Sequence, residues 1–352
     1  MNLNSLMKWV ILNILIFYIL SEIILLILDL PKEYNVHTHP PQFQRISDNN
    51  ILYVNLPNSN IEFKYDGNPR NYFRSNNTVI HHTNKIGFRG SDFSITKTPN
   101  VKRFIFLGDS FTFGEGVYDE DTYPEKFSKF IGEKKIFGSE EIEAINLGVG
   151  GYNTQQEWTL LKNYADQLKP DYIVIGYVLN DAEPYLFTPM GEGMVRKNRE
   201  NTIPENLSTI IEAPFLIKIS RLNKLIWQTY QKNKRTQQLT TYYLSLYEDD
   251  QLDWISTKKI IAEIGKYSQT QKIPMIIVIF PILYRLDQYY PFNVIHDKLH
   301  QLFKQNNLTY IDLLPLFLGK KDQDLWVHPT DQHPNELVHE VAAQALVKMF
   351  NK

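Results

Sequence analysis

Two side chains in this sequence have the most chemistry to offer: the serine of Gly108-Asp109-Ser110 and the histidine of Asp331-Gln332-His333-Pro334-Asn335. An imidazole that meets a hydroxyl can take its proton and turn the oxygen into a nucleophile. A carboxylate beside the ring fixes the tautomer and stabilises the imidazolium. Asp331 stands two residues before His333. Either it reaches the ring, or it faces water and leaves a serine–histidine dyad oriented by a backbone carbonyl. Two more segments supply hydrogen-bond donors. NLGVGGYNT (146–154) holds Gly148, Gly150 and Gly151, where no Cβ prevents a backbone amide from approaching a ligand. GYVLND ends in Asn180 and Asp181, and an asparagine amide can donate to an oxyanion without carrying charge.

Each of these residues also has a plainer reading. Ser110 can cap a helix, and the glycines and Asn180-Asp181 can be ordinary turns. A strand–Gly–helix turn can also cradle phosphate. Here G-x-x-x-x-G-K-[ST] is missing, and Gly114-Glu115-Gly116 puts a carboxylate where a phosphate would sit.

The elements that must position these groups follow from the apolar pattern. Runs at 103–107, 143–147, 171–177, 275–280 and 308–312 predict five buried strands, because continuous apolar runs suit strands covered on both faces. Helical segments fall between them at 122–131, 154–167, 255–269 and 293–305, with a last one at 336–350. The alternation predicts a three-layer α/β sandwich with a five-stranded parallel sheet, from about residue 101 to the end. Ligands of such sheets bind outside the carboxyl ends of the strands, where Ser110, the glycines and Asn180 fall. Asp331 and His333 are expected in a short loop, with Pro334 starting the final helix.

The amino-terminal part reads differently. Trp9 to Leu28 is a run of twenty residues whose polar members are Asn13, Ser21 and Glu22. As a helix rising about 1.5 Å per residue it spans a hydrocarbon core of about 30 Å. It is longer than the apolar part of a signal peptide, and DLPKEY after it offers no small residue for cleavage. The expectation is an uncleaved transmembrane anchor over 1–30 with the bulk of the chain extracytoplasmic. The alternative is a buried helix, which Glu22 favours because a charge in mid-membrane is costly. Residues 31–100 read as a polar stalk to 50 and then a small β-rich extension (ILYVNL, IEFKY, TVIHH). Residues 184–250 interrupt the strand–helix rhythm as an insertion. There Leu216, Ile219, Leu222, Ile226 and Tyr230 recur at helical spacing, which predicts a packed helix with a solvated basic face. The sharper reading is a lid, or a surface that lies on anionic lipid.

Composition narrows the classes. With 37 Lys and Arg against 39 Asp and Glu in 352 residues, the net charge of −2 offers no basic face for nucleic acid. Hydrophobic residues at 43 % exclude disorder as the main state. The absence of cysteine excludes disulfides, thiolate nucleophiles and cysteine metal sites. His37, His39, His81 and His82 lack partners at ligand spacing and are expected to be solvated or packed. His328 and His339 flank the last block without a role. No metal or organic cofactor is implied.

Taken in order, Gly-Asp-Ser, a glycine turn, Asn-Asp and Asp-x-His-Pro-Asn resemble the blocks of the SGNH (GDSL-like) hydrolase family, over about 101–350 without the insertion. NKIGFRG (84–90) looks like a segment carried by membrane-anchored bacterial members. The resemblance implies a flavodoxin-like SGNH hydrolase fold. It implies Ser110 as nucleophile, His333 as general base and Asp331 as the acid of the triad, although the family's usual spacing is Asp-x-x-His and Thr330 occupies that position. Its oxyanion hole is carried over to the amides of Ser110 and Gly151 and the side chain of Asn180. The activity implied is a serine esterase or deacylase acting on O-acyl esters through an acyl-serine, with cell-surface carbohydrate as a candidate substrate. Two rivals stay open: a polysaccharide O-acyltransferase using the same residues, and an inactive membrane-tethered carbohydrate-binding or assembly protein.

Overall fold

Residues 2–35, 43–46, 48, 50–184, 187–190, 193–196, 214–287 and 289–351 are described by the computed structural model. The chain divides into two compact units, one of residues 1–34 and 198–242 and one of 35–197 and 243–352. In chain order, helix α1 (Leu3–Ile27) is followed by strands β1 (Phe43–Arg45), β2 (Tyr53–Asn55), β3 (Asn60–Lys64), β4 (Thr78–His82) and β5 (Val101–Gly108). Then come α2 (Ser110–Phe113), α3 (Tyr123–Glu133), β6 (Glu141–Asn146), α4 (Thr154–Leu168) and β7 (Tyr172–Tyr177). A hairpin of β8 (Phe187–Met190) and β9 (Gly193–Arg196) precedes α5 (Phe215–Lys218), α6 (Arg221–Leu246) and α7 (Leu252–Gln271). The chain ends through β10 (Met275–Ile279), α8 (Asn293–Gln305), β11 (Thr309–Asp312), α9 (Leu314–Phe317), β12 (Trp326–His328), β13 (Asp331–Pro334) and α10 (Glu336–Met349).

In the larger unit, β6, β5, β7, β10 and β11 form one parallel sheet in that spatial order. Numbered along the chain this is 2-1-3-4-5, the flavodoxin-like winding. Its strands are the five expected from the apolar runs. All of β10 is buried and all of β5 except Lys102, because helices cover both faces: α3 packs with α10, and α7 packs with α4 and α8. Phe104 of β5 stacks on Tyr172 at 4.8 Å and meets Phe127 of α3 edge-on at the same distance. Helix starts carry their own signals. Asn153 and Gln156 form a reciprocal capping box on α4, and Asn335 caps α10 through the amides of Leu337 and Val338.

The β-rich extension is built as antiparallel pairs, β1 with β2 and β3 with β4. Its alternation shows in β3, where Ile61 and Phe63 are buried between exposed neighbours. Phe43–Arg45, read from sequence as stalk, is thus a paired strand. Asp331 and His333 lie in β13, antiparallel to β12, and not in a loop. His37 and His39 fall outside the described residues. His81 is buried and accepts from the Gly116 amide, while exposed His82 pairs with Asp119.

In the smaller unit, α1 has one buried residue, Leu25, and is long and apolar enough to cross a membrane. Of the insertion, 185–186, 191–192 and 197–213 fall outside the described residues. The expected packed helix is broken at Ile219-Ser220, and its apolar members Ile219, Ile226 and Tyr230 are exposed rather than packed.

One glycine tests how tightly the sheet edge is assembled. A Cβ on Gly148 would stand 2.2 Å from the Phe113 backbone nitrogen, whereas one on Gly132, in α3, would meet nothing. Gly148→Ala is expected to lower unfolding free energy by about 1–3 kcal/mol or more through overpacking. Gly132→Ala is expected to be neutral or stabilising. Equal urea midpoints for the two variants would contradict this account.

Candidate active site

β5 runs into the site through Gly108, at φ +153°, where a Cβ would lie 2.0 Å from Thr112 Oγ1. Asp109 then caps the short helix α2, its Oδ1 accepting from the Phe111 amide at 2.8 Å. Ser110, the first residue of α2, is 9 % exposed, and its Oγ lies 2.9 Å from His333 Nε2. His333 Nδ1 lies 2.5 Å from Asp331 Oδ1, which also accepts from the His333 backbone amide at 3.1 Å. The two-residue spacing works because β13 is extended, and residues i and i+2 of a strand point to the same face. Tyr65 donates its hydroxyl to Asp331 Oδ2 at 2.8 Å, so both carboxylate oxygens are occupied. These contacts set the tautomer of the neutral ring: Nδ1–H faces Asp331 and Nε2 can accept from Ser110.

The donor groups gather on neighbouring strand ends. Ser110 follows β5 and Asn180 follows β7, the two strands between which the winding reverses, the usual ligand crevice of such sheets. Asn180 Nδ2 donates to Asp109 Oδ2 at 2.8 Å. The glycine loop after β6 is held against β5 by the Val149 amide on the Gly108 carbonyl at 3.1 Å. Asn146 braces it from within, donating to the Thr112 carbonyl and accepting from the Gly148 amide at 2.8 and 2.9 Å. Among the described residues, the amides of Ser110 and Gly151 donate to no protein acceptor. The arrangement can take a proton from a hydroxyl, pass it to an imidazole, and offer unsatisfied N–H groups nearby.

Four further residues contribute that no motif assigned to the site. Tyr53 and Asn55 of β2 donate to the carbonyls of Gly150 and Gly148, pinning the glycine loop from the β-rich extension. Tyr65 reaches Asp331 across 266 positions of sequence. Glu115, read earlier as an obstacle to phosphate, is buried with Oε2 3.9 Å from His333 Nε2. Burial disfavours charge on His333, but Glu115, then Asp331 and Asp109, outweigh it and push the imidazole up to about 10. His328 and His339 are packed. His328 bonds Thr330 Oγ1 and the Asp66 carbonyl, and His339 accepts from the Tyr123 amide, with burial holding it down to about 3. One further cluster, His296, His300 and Asp312, has the two imidazoles hydrogen-bonded to a single carboxylate oxygen.

With this geometry in place, comparison with known proteins identifies the class. The sequence model of the GDSL-like lipase/acylhydrolase family matches residues 106–341, and the chain belongs to that family. It is accordingly an ester hydrolase of the SGNH/GDSL type. Among solved structures it is similar to a lipolytic protein of the G-D-S-L family from Desulfitobacterium hafniense: 13 % identity, 70 % of this chain and 98 % of that one, TM-score 0.40. The esterase EstA from Pseudoalteromonas shows 14 % identity over 71 % of this chain and 100 % of its own, TM-score 0.40. An acetyl xylan esterase shows 15 % identity over 70 % and 98 %, TM-score 0.41. Among curated proteins none matches the chain.

The charge on Glu115 yields a pH prediction. An imidazole raised to about 10 must lose its proton before it can act as a base, so kcat/KM should rise with pH through that ionisation. Glu115→Gln removes a negative charge beside Nε2, so the imidazolium is less favoured and the acid limb of the kcat/KM profile moves to lower pH. The fold follows the same sign. Stability from the raised His333 is complete below its ordinary value of 6.5 and is lost as pH rises through about 10. An acid limb that stays in place in Glu115→Gln would contradict the assignment.

Proposed function

We propose that this chain is a membrane-anchored serine esterase that removes acyl groups from O-acyl esters through an acyl-serine intermediate. The observation that carries the reading is the continuous hydrogen-bonded line from Ser110 Oγ through His333 to Asp331. His333 takes the Ser110 proton as the hydroxyl attacks the ester carbonyl. The carbonyl oxygen, now negative, is stabilised by the amides of Ser110 and Gly151 and by the second N–H of Asn180. Collapse expels the alcohol, which takes the proton held on His333. Water, deprotonated by the same imidazole, then attacks the acyl-serine and releases the acid. Asp331 keeps the Nδ1–H tautomer and favours the imidazolium, and Tyr65 holds Asp331 in place. α1 serves as the anchor with the catalytic unit extracytoplasmic. O-acylated surface carbohydrate is the substrate class we assign, because a membrane tether keeps the site among envelope polymers.

The test uses the full-length chain in detergent. A fluorophosphonate probe is expected to label Ser110 and no other serine, and Ser110→Ala and His333→Ala are expected to abolish release of p-nitrophenol from its acetate ester. Full turnover in both variants would remove the reading. Asn180→Ala is expected to lower kcat by about 10²–10³, the effect of losing one oxyanion donor, with KM little changed. A loss confined to KM would count against that role.

A further inference from the structure

Glu22 stands in the last third of the apolar run, six residues before Leu28, and it is fully partnered. Its carboxylate accepts from Ser220 Oγ at 2.5 Å, from the Arg221 amide at 3.0 Å and from the Leu222 amide at 2.9 Å. Two of these are opening amides of α6, where a helix has unsatisfied N–H groups and the positive end of its dipole. A carboxylate that would be costly among acyl chains is thereby satisfied by protein. Beyond this contact the two segments continue in the same direction. Arg221 reaches the Leu30 carbonyl at 3.0 Å, and Lys224 reaches Glu33 at 3.1 Å.

These contacts fix a depth. Six residues at about 1.5 Å each put Glu22 about 9 Å inside the end of the apolar run. One leaflet's hydrocarbon is about 15 Å thick. Ile219, adjoining the Glu22 contact, lies at that level, and Phe215 is one turn before it. Both expose their side chains, Ile219 by 69 % and Phe215 by 76 %. Ile219 also borders a cavity that basic residues surround. Lys218, Arg221 and Lys224 join Lys32 and Tyr34 around a cavity of about 560 Å³ beside the chain that leaves α1, where Asp29 and Glu33 are the acidic members. Long cationic side chains bury their stems and carry their charge up to the headgroups.

We propose that α5 and the start of α6 form a second membrane-contacting element. Phe215 and Ile219 sit among the acyl chains of the leaflet that α1 leaves, and Lys218, Arg221 and Lys224 meet the phosphates of anionic lipids. The element explains both the exposure of Phe215 and Ile219 and the charge within α1. It rests on the proposal that α1 spans the membrane, and the experiment separates the two.

Because the chain has no cysteine, single sites can be spin-labelled in the full-length protein without background. Leu12→Cys reports α1, Phe215→Cys and Ile219→Cys report the new element, and Leu252→Cys, at a residue 80 % exposed in the other unit, is the aqueous control. The protein is reconstituted in phosphatidylcholine vesicles with and without phosphatidylglycerol, and relaxation by oxygen and by a water-soluble nickel chelate is compared. Labels at 12, 215 and 219 are expected to be relaxed by oxygen and shielded severalfold from nickel relative to 252. Shielding at 215 and 219 is expected to increase with phosphatidylglycerol. Shielding at 12 with free nickel access at both 215 and 219 would overturn the inference and leave the anchor intact. Nickel access at 12 would overturn both. Shielding unchanged by phosphatidylglycerol would overturn the anionic-lipid contact.

Discussion

A carboxyl group taken almost wholly out of water must find hydrogen bonds for both oxygens, and at Asp331 this requirement joins three separate parts of the chain. One oxygen serves the ring and the backbone amide of His333; the other takes the Tyr65 hydroxyl. The β12–β13 hairpin, the β-rich extension and the carboxyl edge of the sheet are therefore held in one arrangement around the Ser110 hydroxyl. Loosening any of them would free a polar group inside the protein, at a cost of about 1–3 kcal/mol.

The β-rich extension is for this reason part of the site and not a spacer before it. Tyr65 holds Asp331, and Tyr53 and Asn55 hold the glycine loop that carries the open Gly151 amide. The electrostatics have the same character. Three carboxylates act on one imidazole, so a proton on that ring is held strongly. In the proposed reaction the same charges favour the imidazolium that acyl transfer passes through.

The sheet was legible in the sequence because its five strands are covered on both faces and so read as unbroken apolar runs. Ser110, Asn180 and His333 stand out as candidates because each follows or precedes such an element in a recognisable block. What misled was the environment of short segments. Asp331–Pro334 has no apolar alternation and looked like a loop, yet it is a strand because the Trp326–His328 backbone pairs with it. Ile219, Ile226 and Tyr230 follow helical spacing, but periodicity shows only that a helix has a face and not what covers it.

By itself the sequence determined the five strands of the sheet, the helices between them and the apolar first helix, and it offered a hydroxyl and an imidazole as candidates. These depend on local pattern, which the chain carries at every position. Tertiary structure alone decided that Asp331 reaches His333 at a spacing of two, that Tyr65 and Glu115 stand beside them, and that Glu22 is answered by the start of α6. Those contacts join residues up to 266 positions apart, and they exist because the folded backbone brings the partners together and excludes the water that would otherwise serve each of them.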